Sequence, residues 1–246
     1  MPDQQVLRKN LLMLGLHHTH TLIIWFLFIY TGFMISSTAA FSQQLPALAT
    51  CISDPRLQII RSKELHTMYL ADQKERVGFG TDMSRKEINQ LIEQDLKRRK
   101  RVGEIMGEGC ISTMEDYAAA ALIYQHGDVP DHYYQAFIWA SKALSLGDLK
   151  QKALVAMTID RYLISIGKKQ LFGSQFQASS TSGWCTCLLP VEQSFPDSLR
   201  MDYLEKKLSE QFKFLLTLNK DKKNCPSNEC DIKLSPSLKG SVPGFW

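Results

Sequence analysis

No excess of charge names a partner for this chain: 29 Lys and Arg against 25 Asp and Glu leave +4 over 246 residues, too little to imply nucleic acid. No apolar run reaches the ~20 residues of a membrane-spanning helix; the longest, Thr21 to Ile35, stops at 15. A His-Glu-x-x-His zinc motif, a glycine loop to cradle phosphate and a Gly-x-Ser-x-Gly elbow are all missing, so no metal and no cofactor are expected. Alternation of the kind that marks a β-strand is absent at any useful length, and no repeated signature supports a repeat array. What is present is a 44% apolar share. That is enough for a packed core and excludes disorder throughout, collagen and low complexity. The length suits one domain with an appendage once the N-terminus is set aside.

Arg8 and Lys9 precede the apolar run, and Ser36-Ser37-Thr38-Ala39-Ala40 follows it. A basic start, an apolar segment and a small-x-small end describe a signal peptide over residues 1–40, cut after Ala40. Because Leu11 to Leu16 is apolar too, an uncleaved anchor built on residues 21–35 is the alternative. The first case places the protein in the periplasm or outside the cell, the second at the inner membrane. All six cysteines, Cys51, Cys110, Cys185, Cys187, Cys225 and Cys230, lie beyond the cut. An even count in an exported chain reads as up to three disulfides. Cys185 and Cys187 are too close to pair comfortably, so each is expected to reach a distant partner, while Cys225 and Cys230 could close a small loop. A zinc site on these last four is the competing reading, and its spacings fit poorly.

From Asp54 onward the pattern is helical. Leu57, Ile60, Leu65, Met68 and Tyr69 recur at three- and four-residue spacing, and proline suits a first turn. A second helix is predicted over Ser84 to Met106. A third opens on Ser112-Thr113-Met114-Glu115, whose first hydroxyl and last carboxylate form a capping box. Gly127, Gly147 and Gly167 each end an apolar periodic segment. Helices near Asp131–Leu146 and Asp148–Ile166 then form antiparallel neighbours, brought close by Ala136, Ala140, Ala143, Ala153 and Ala156. Residues from Gly173 to Pro196 read as a long loop, and Asp197 to Leu218 as one amphipathic helix. The expected fold is therefore all-α, an antiparallel helical bundle or stacked helical hairpins over residues 41–218. Its C-terminal part is rich in loops and disulfides, with a flexible tail over 219–246. The run Lys97-Arg98-Arg99-Lys100-Arg101 reads as a solvated helix face or a contact with anionic lipid headgroups.

Projecting the helices shows polar residues on apolar faces. Leu65, Met68 and Tyr69 continue to Asp72 and Arg76. Met114, Ala118, Ala121 and Leu122 lead to Gln125, with His126 in the last turn. Ala153, Ala156 and Met157 lead to Asp160 before Leu163 and Ile164 resume the stripe. Neighbours three and four residues apart share a helix face, so these side chains should point inward. A buried carboxylate needs a partner, and Arg76 and Arg161 are the nearest in sequence to Asp72 and Asp160. An internal ion-pair network fixing helix register is one reading, with His126 bonding a carbonyl at its own helix end. A cleft that contacts a polar ligand is the other.

The segments Tyr124-Gln125-His126-Gly127, Asp160-Arg161-Tyr162-Leu163 and Gly167-Lys168-Lys169-Gln170-Leu171-Phe172-Gly173-Ser174-Gln175 resemble those of a bacterial helical domain family of unknown function. Its pattern is Gln-His, then Asp-Arg, then Gly-x-x-Gln-x-Tyr-Gly-Thr-Gln, with an upstream Asp-Gln and Arg that Asp72, Gln73 and Arg76 match. Phe172 and Ser174 depart from its Tyr and Thr, and the resemblance covers roughly residues 65–177. It implies a shared polar constellation and no particular reaction. The site expected on these grounds comprises Asp72, Arg76, Gln125, Arg161, Gln170 and Gln175 as ligand-binding groups, with His126 and Asp160 as the pair able to do chemistry. Guanidinium, imidazole and amide groups together suit a small polar or peptidic ligand. Two functions follow: a binding or interaction module for such a ligand, or a hydrolase or transferase in which His126 is the general base. Expected partners are that ligand, no nucleic acid, and a peripheral or N-terminal membrane contact.

Overall fold

The computed structural model describes residues 50–77, 83–179, 185–222, 225 and 228–236. The segment read as a signal peptide or anchor lies outside the described residues. Among those described, the chain is mostly helical, in the order α1 (Pro55–Glu75), α2 (Arg85–Gly107), α3 (Met114–Gln125), α4 (Pro130–Ser145), α5 (Lys152–Ser165), β1 (Phe176–Ser179), β2 (Cys185–Leu188), α6 (Asp197–Leu204) and α7 (Leu208–Leu218), with a 3-10 turn at Leu149–Gln151 before α5.

Each of the first three helices starts where a side chain can accept its free amide protons. The Asp54 carboxylate accepts from the Arg56 amide ahead of Pro55, and Ser84 with Glu87 forms a full capping box on α2. On α3 the box sits one residue later than the spacing predicts, on Thr113 and Asp116. The reason is tertiary: buried Asp116 also accepts from the Ser112 amide at 3.2 Å and from Gln58 Nε2 of α1 at 2.9 Å, which Glu115 on the exposed side cannot do. Gly127 ends α3 for a reason of space, since a Cβ there would lie 2.3 Å from Cβ of His132.

The main core joins Leu65 of α1, Val102 and Ile105 of α2, Ala119–Ala121 and Ile123 of α3, Trp139 and Ala140 of α4, and Leu154 and Val155 of α5. α3 packs on α4, α4 on α5, and α1 against α3. Alanines 136, 140, 143 and 156 are fully buried, consistent with close backbone approach. Ile60, placed on the inner stripe of α1 by spacing, is instead exposed.

The C-terminal part departs from the expected long loop and single helix. Residues 176–179 and 185–188 pair as a short antiparallel sheet. The helix over 197–218 is broken at Glu205, whose φ of 55° is left-handed. The break lets Asp197 Oδ1 accept from the Leu208 amide that starts α7, at 3.1 Å. Cys51 pairs with Cys110, Cys185 with Cys225, and Cys187 with Cys230. Cys225 and Cys230 thus close no loop with each other, and no thiolate remains for zinc. Residues of the predicted flexible tail are tied down: the Cys230 amide donates to the Leu188 carbonyl and the Ser235 amide to that of Gly167, at 2.8 and 2.7 Å. Three disulfides indicate maturation in an oxidising environment, extracellular or periplasmic. Among the described residues no helix is long and apolar enough to cross a membrane.

Candidate functional site

The C-terminal end of α3 is where the polar side chains gather. A helix end leaves its last carbonyls without intrahelical donors and carries partial negative charge. Three successive carbonyls here are taken by side chains of three other helices. Arg161 of α5 donates from Nη1 to the Gln125 carbonyl at 2.6 Å, and Arg99 of α2 from Nη1 to that of His126 at 2.7 Å. Tyr133 of α4 donates its hydroxyl to that of Gly127 at 2.8 Å.

The His126 ring reaches α1 rather than a carbonyl: Nδ1 lies 3.1 Å from the Asp72 carboxylate. Asp72 is 0% exposed. Burial pushes its carboxyl up, but the hydrogen bond and charge of His126, the charge of Arg76 and the bond from Gln73 outweigh that and hold it below the usual carboxylate range. An ionised carboxylate only accepts, so Nδ1 is the donor in this pair. The His126 side chain keeps 20% of its exposure. One ring nitrogen is thus fixed inside while the ring still touches solvent.

Around this pair the arginines divide. Arg76 Nη2 donates to Asp95 Oδ2 at 2.8 Å and stands 3.5 Å from Asp72. Arg98 Nη1 donates to Asp95 Oδ1 at 3.2 Å and its Nη2 to Glu75, lying 3.8 Å from Asp72. Arg99 pairs with Asp128 at 3.1 Å. The basic run on α2 is therefore no solvated face: Arg98 and Arg99 are buried and only Lys97 and Lys100 are exposed, while Arg101 pairs with Glu64 and Glu104. Arg161 differs from the others. Its Nε donates to Gln175 Oε1 at 3.1 Å, so both of its bonds go to neutral acceptors, and the Tyr133 ring lies 5.8 Å from its Cζ. Burial lowers its affinity for its proton, the Tyr133 phenol opposes this, and the nearby Arg76 guanidinium adds to the lowering.

Asp160 stands apart from this group, and neither Arg76, Arg161 nor His126 is its partner. It is 0% exposed and accepts from the amides of Leu171, Phe172 and Ser174 at 2.7, 3.0 and 3.0 Å, and from the Ser174 hydroxyl at 2.8 Å. Gly173, at φ 78°, turns the loop so that amides on either side of it face one carboxylate, a conformation side chains disfavour. Burial pushes the Asp160 carboxyl above its ordinary range against the pull of these donors. Its geometry is that of a clamp on the loop, not of a group that orients His126; that part falls to Asp72.

Gln170 and Gln175 lock the same loop. Gln170 Nε2 donates to the Gln175 and Leu189 carbonyls at 3.0 and 2.7 Å, and its Oε1 accepts from the Gln175 amide at 2.8 Å. Gln175 in turn touches Arg161, and so links the clamp to the helix end. The expected residues thus form two linked groups: Asp72, Arg76, Gln125, His126 and Arg161 at the end of α3, and Asp160, Gln170 and Gln175 behind them. Asp95, Arg98, Arg99 and Tyr133 belong to the first group and were not expected there. Concave spaces of about 420 and 540 Å³ lie to the side, one against Glu75 and Leu91, the other against Tyr162 and Pro236. No metal cluster forms among the described residues.

No protein-family model, curated protein or solved structure matches this chain.

Proposed function

We propose that the protein is an exported binding or interaction module for a small polar or peptidic ligand, which it takes at the C-terminal end of α3. One observation carries this reading. Among the described residues, three buried side-chain atoms have no hydrogen-bond partner: Arg76 Nη1, Arg99 Nε and Gln125 Oε1. All three belong to the same cluster. A network present only to hold helices in register satisfies its members, because a buried polar atom without a partner costs about 1–3 kcal/mol. Three such atoms beside a partly exposed imidazole are what a ligand-binding site retains.

The same proposal includes the signal peptide over residues 1–40 and periplasmic residence, supported by the three disulfides and the pattern of residues 8–40. It also includes an antiparallel arrangement of α3, α4 and α5, supported by their successive packing. Kinship with the bacterial domain family belongs to it too, since the residues that carry the resemblance are those of the two linked groups. The test is native mass spectrometry of the full chain purified from the periplasm. The expected result is a co-purifying small molecule whose mass addition disappears in Arg161→Met. A wild-type spectrum showing only the bare chain, together with no response to any polar ligand in a thermal-shift panel, overturns the reading.

The 3.1 Å contact of His126 with Asp72 favours a second reading, a hydrolase or transferase with His126 as general base. Ser174 is engaged by Asp160 and every cysteine by a disulfide, so water or the substrate itself would attack. This reading requires the bound molecule to be released chemically changed, and the change to be lost in His126→Asn.

A further inference from the structure

We infer that the ligand is carboxylate-terminated and peptidic, an N-acyl amino acid or a peptide carboxy-terminus, with its carboxylate on Arg161 and Arg76 and its last amide on Gln125. This deepens the binding reading above and rests on it. The argument begins with what each open group can take. Arg161 spends Nε on the Gln175 amide oxygen and Nη1 on the Gln125 carbonyl, and no carboxylate lies within ion-pair distance of it among the described residues. Arg76 spends Nη2 on Asp95, while its buried Nη1 has no partner. Two guanidinium groups near enough to repel each other, one with a nitrogen that has no partner and the other bonded to neutral acceptors, call for an anion.

A bare carboxylate leaves Gln125 unanswered. Its side chain is 5% exposed, and its Oε1 accepts from nothing. That oxygen needs an N–H or O–H donor, which a carboxylate does not carry; hydrogen phosphate carries one O–H and is therefore one of the probes below. A side-chain amide pairs well with a peptide group, which offers N–H to its oxygen and C=O to its nitrogen. Gln125 is placed to do this: its own carbonyl holds Arg161, and the next residue holds Asp72. The demand is thus for an amide N–H close to a carboxylate. A peptide carboxy-terminus supplies these two groups one carbon apart. Helix capping accounts for Arg99 Nη1 and for one nitrogen of Arg161, but for none of Arg76 Nη1, Arg99 Nε and the Gln125 amide.

Isothermal titration of the full, oxidised chain with three probes tests this: N-acetyl-alanyl-alanine, the same peptide with its carboxylate amidated, and inorganic phosphate. The acid is expected to bind about tenfold or more tightly than the amide, from the loss of charge-assisted bonds, and phosphate more weakly than the acid. Arg161→Met is expected to erase the difference between acid and amide, and Arg161→Lys to keep part of it. Gln125→Met is expected to weaken acid and amide by the same factor. The acid-versus-amide comparison needs no variant, so a poorly folding Arg161→Met does not spoil it. Equal binding of acid and amide, or binding of phosphate alone, overturns the carboxylate–amide assignment while leaving a polar-ligand site in place. Silence from all three probes overturns it as well, and with a bare native mass spectrum it removes the binding reading too.

Discussion

Gln125→Met separates a ligand site from a structural network more sharply than any change at His126, because the two readings give it opposite signs. Gln125 is 5% exposed and its Oε1 has no partner, so the folded state without ligand carries the desolvation cost of an unpaired amide oxygen. That cost is about 1–3 kcal/mol. Methionine is close to glutamine in length and volume, and a volume-conserving exchange is tolerated in a packed site at less than about 1.5 kcal/mol. The two effects together leave a net stabilisation of about 1 kcal/mol. For a chain of this size that corresponds to a rise in Tm of about 2–4 °C. The assay is thermal unfolding by circular dichroism at pH 7, wild type against Gln125→Met, each alone and with N-acetyl-alanyl-alanine. The variant alone is expected to melt higher than the wild type, and to lose the further rise that the peptide gives the wild type. A variant that melts several degrees lower refutes the reasoning, because Gln125 would then be holding the fold.

Arg98→Ala removes the cation between Asp95, Glu75 and Asp72; because Asp95 keeps Arg76 and Asp72 keeps His126, urea unfolding is expected to show a loss of about 1.5–3 kcal/mol from the charge-assisted bonds removed, while exposed Lys97→Ala leaves the curve unchanged. Replacing Cys187 and Cys230 together by alanine is expected to cost about 2–4 kcal/mol; hydrogen exchange should show faster Leu188 and Cys230 amides, which bond to residues 228 and 188, with α3 protected as before. The folded Asp72 carboxyl lies below its ordinary value, so its stabilisation is present above about pH 4 and is lost as pH falls through the folded value; the Tm gap between wild type and Asp72→Asn should narrow as pH falls below about 4. Asp160, raised by burial, works in the opposite direction, disfavouring the fold as pH rises from about 4.

Much of the helical frame was legible because local chemistry decides it. Asp54 with Pro55, and Ser84 with Glu87, set helix starts within a few residues. Gln125, Asp72 and Asp160 were legible as inward-facing because a polar residue that interrupts an apolar stripe must be buried. The same projection applied to α2 shows Leu91, Asp95, Arg98, Val102 and Ile105 at alternating four- and three-residue steps, all buried; the neighbouring Lys97, Lys100 and Arg101 disguised that stripe as a solvated charge run. What local pattern could not supply was pairing. Asp160 stands beside Arg161 in sequence, yet adjacent helix residues point some 100° apart, and three loop amides outcompete a guanidinium on another face. The break at Glu205 and the pairing of residues 176–179 with 185–188 depend on disulfides and on Asp197 reaching Leu208, contacts without a local signature.

One helix end organises the whole arrangement. Carbonyls of residues 125, 126 and 127 hold side chains from α5, α2 and α4, and the His126 ring holds α1. Four helices are thereby keyed to a single turn of α3. A junction of this kind accounts for burying Arg99 and Arg161, each of which meets a carbonyl that helix geometry leaves open; Arg76 and Arg98 are answered by carboxylates. It does not account for leaving partners unmet. Replacing Gln125 by an apolar residue would relieve an orphaned oxygen without touching any of the four keys, since Arg161 bonds the main-chain carbonyl of residue 125 and not its side chain. The amide is therefore dispensable to the fold as built, and the proposed ligand is what would give its oxygen a donor.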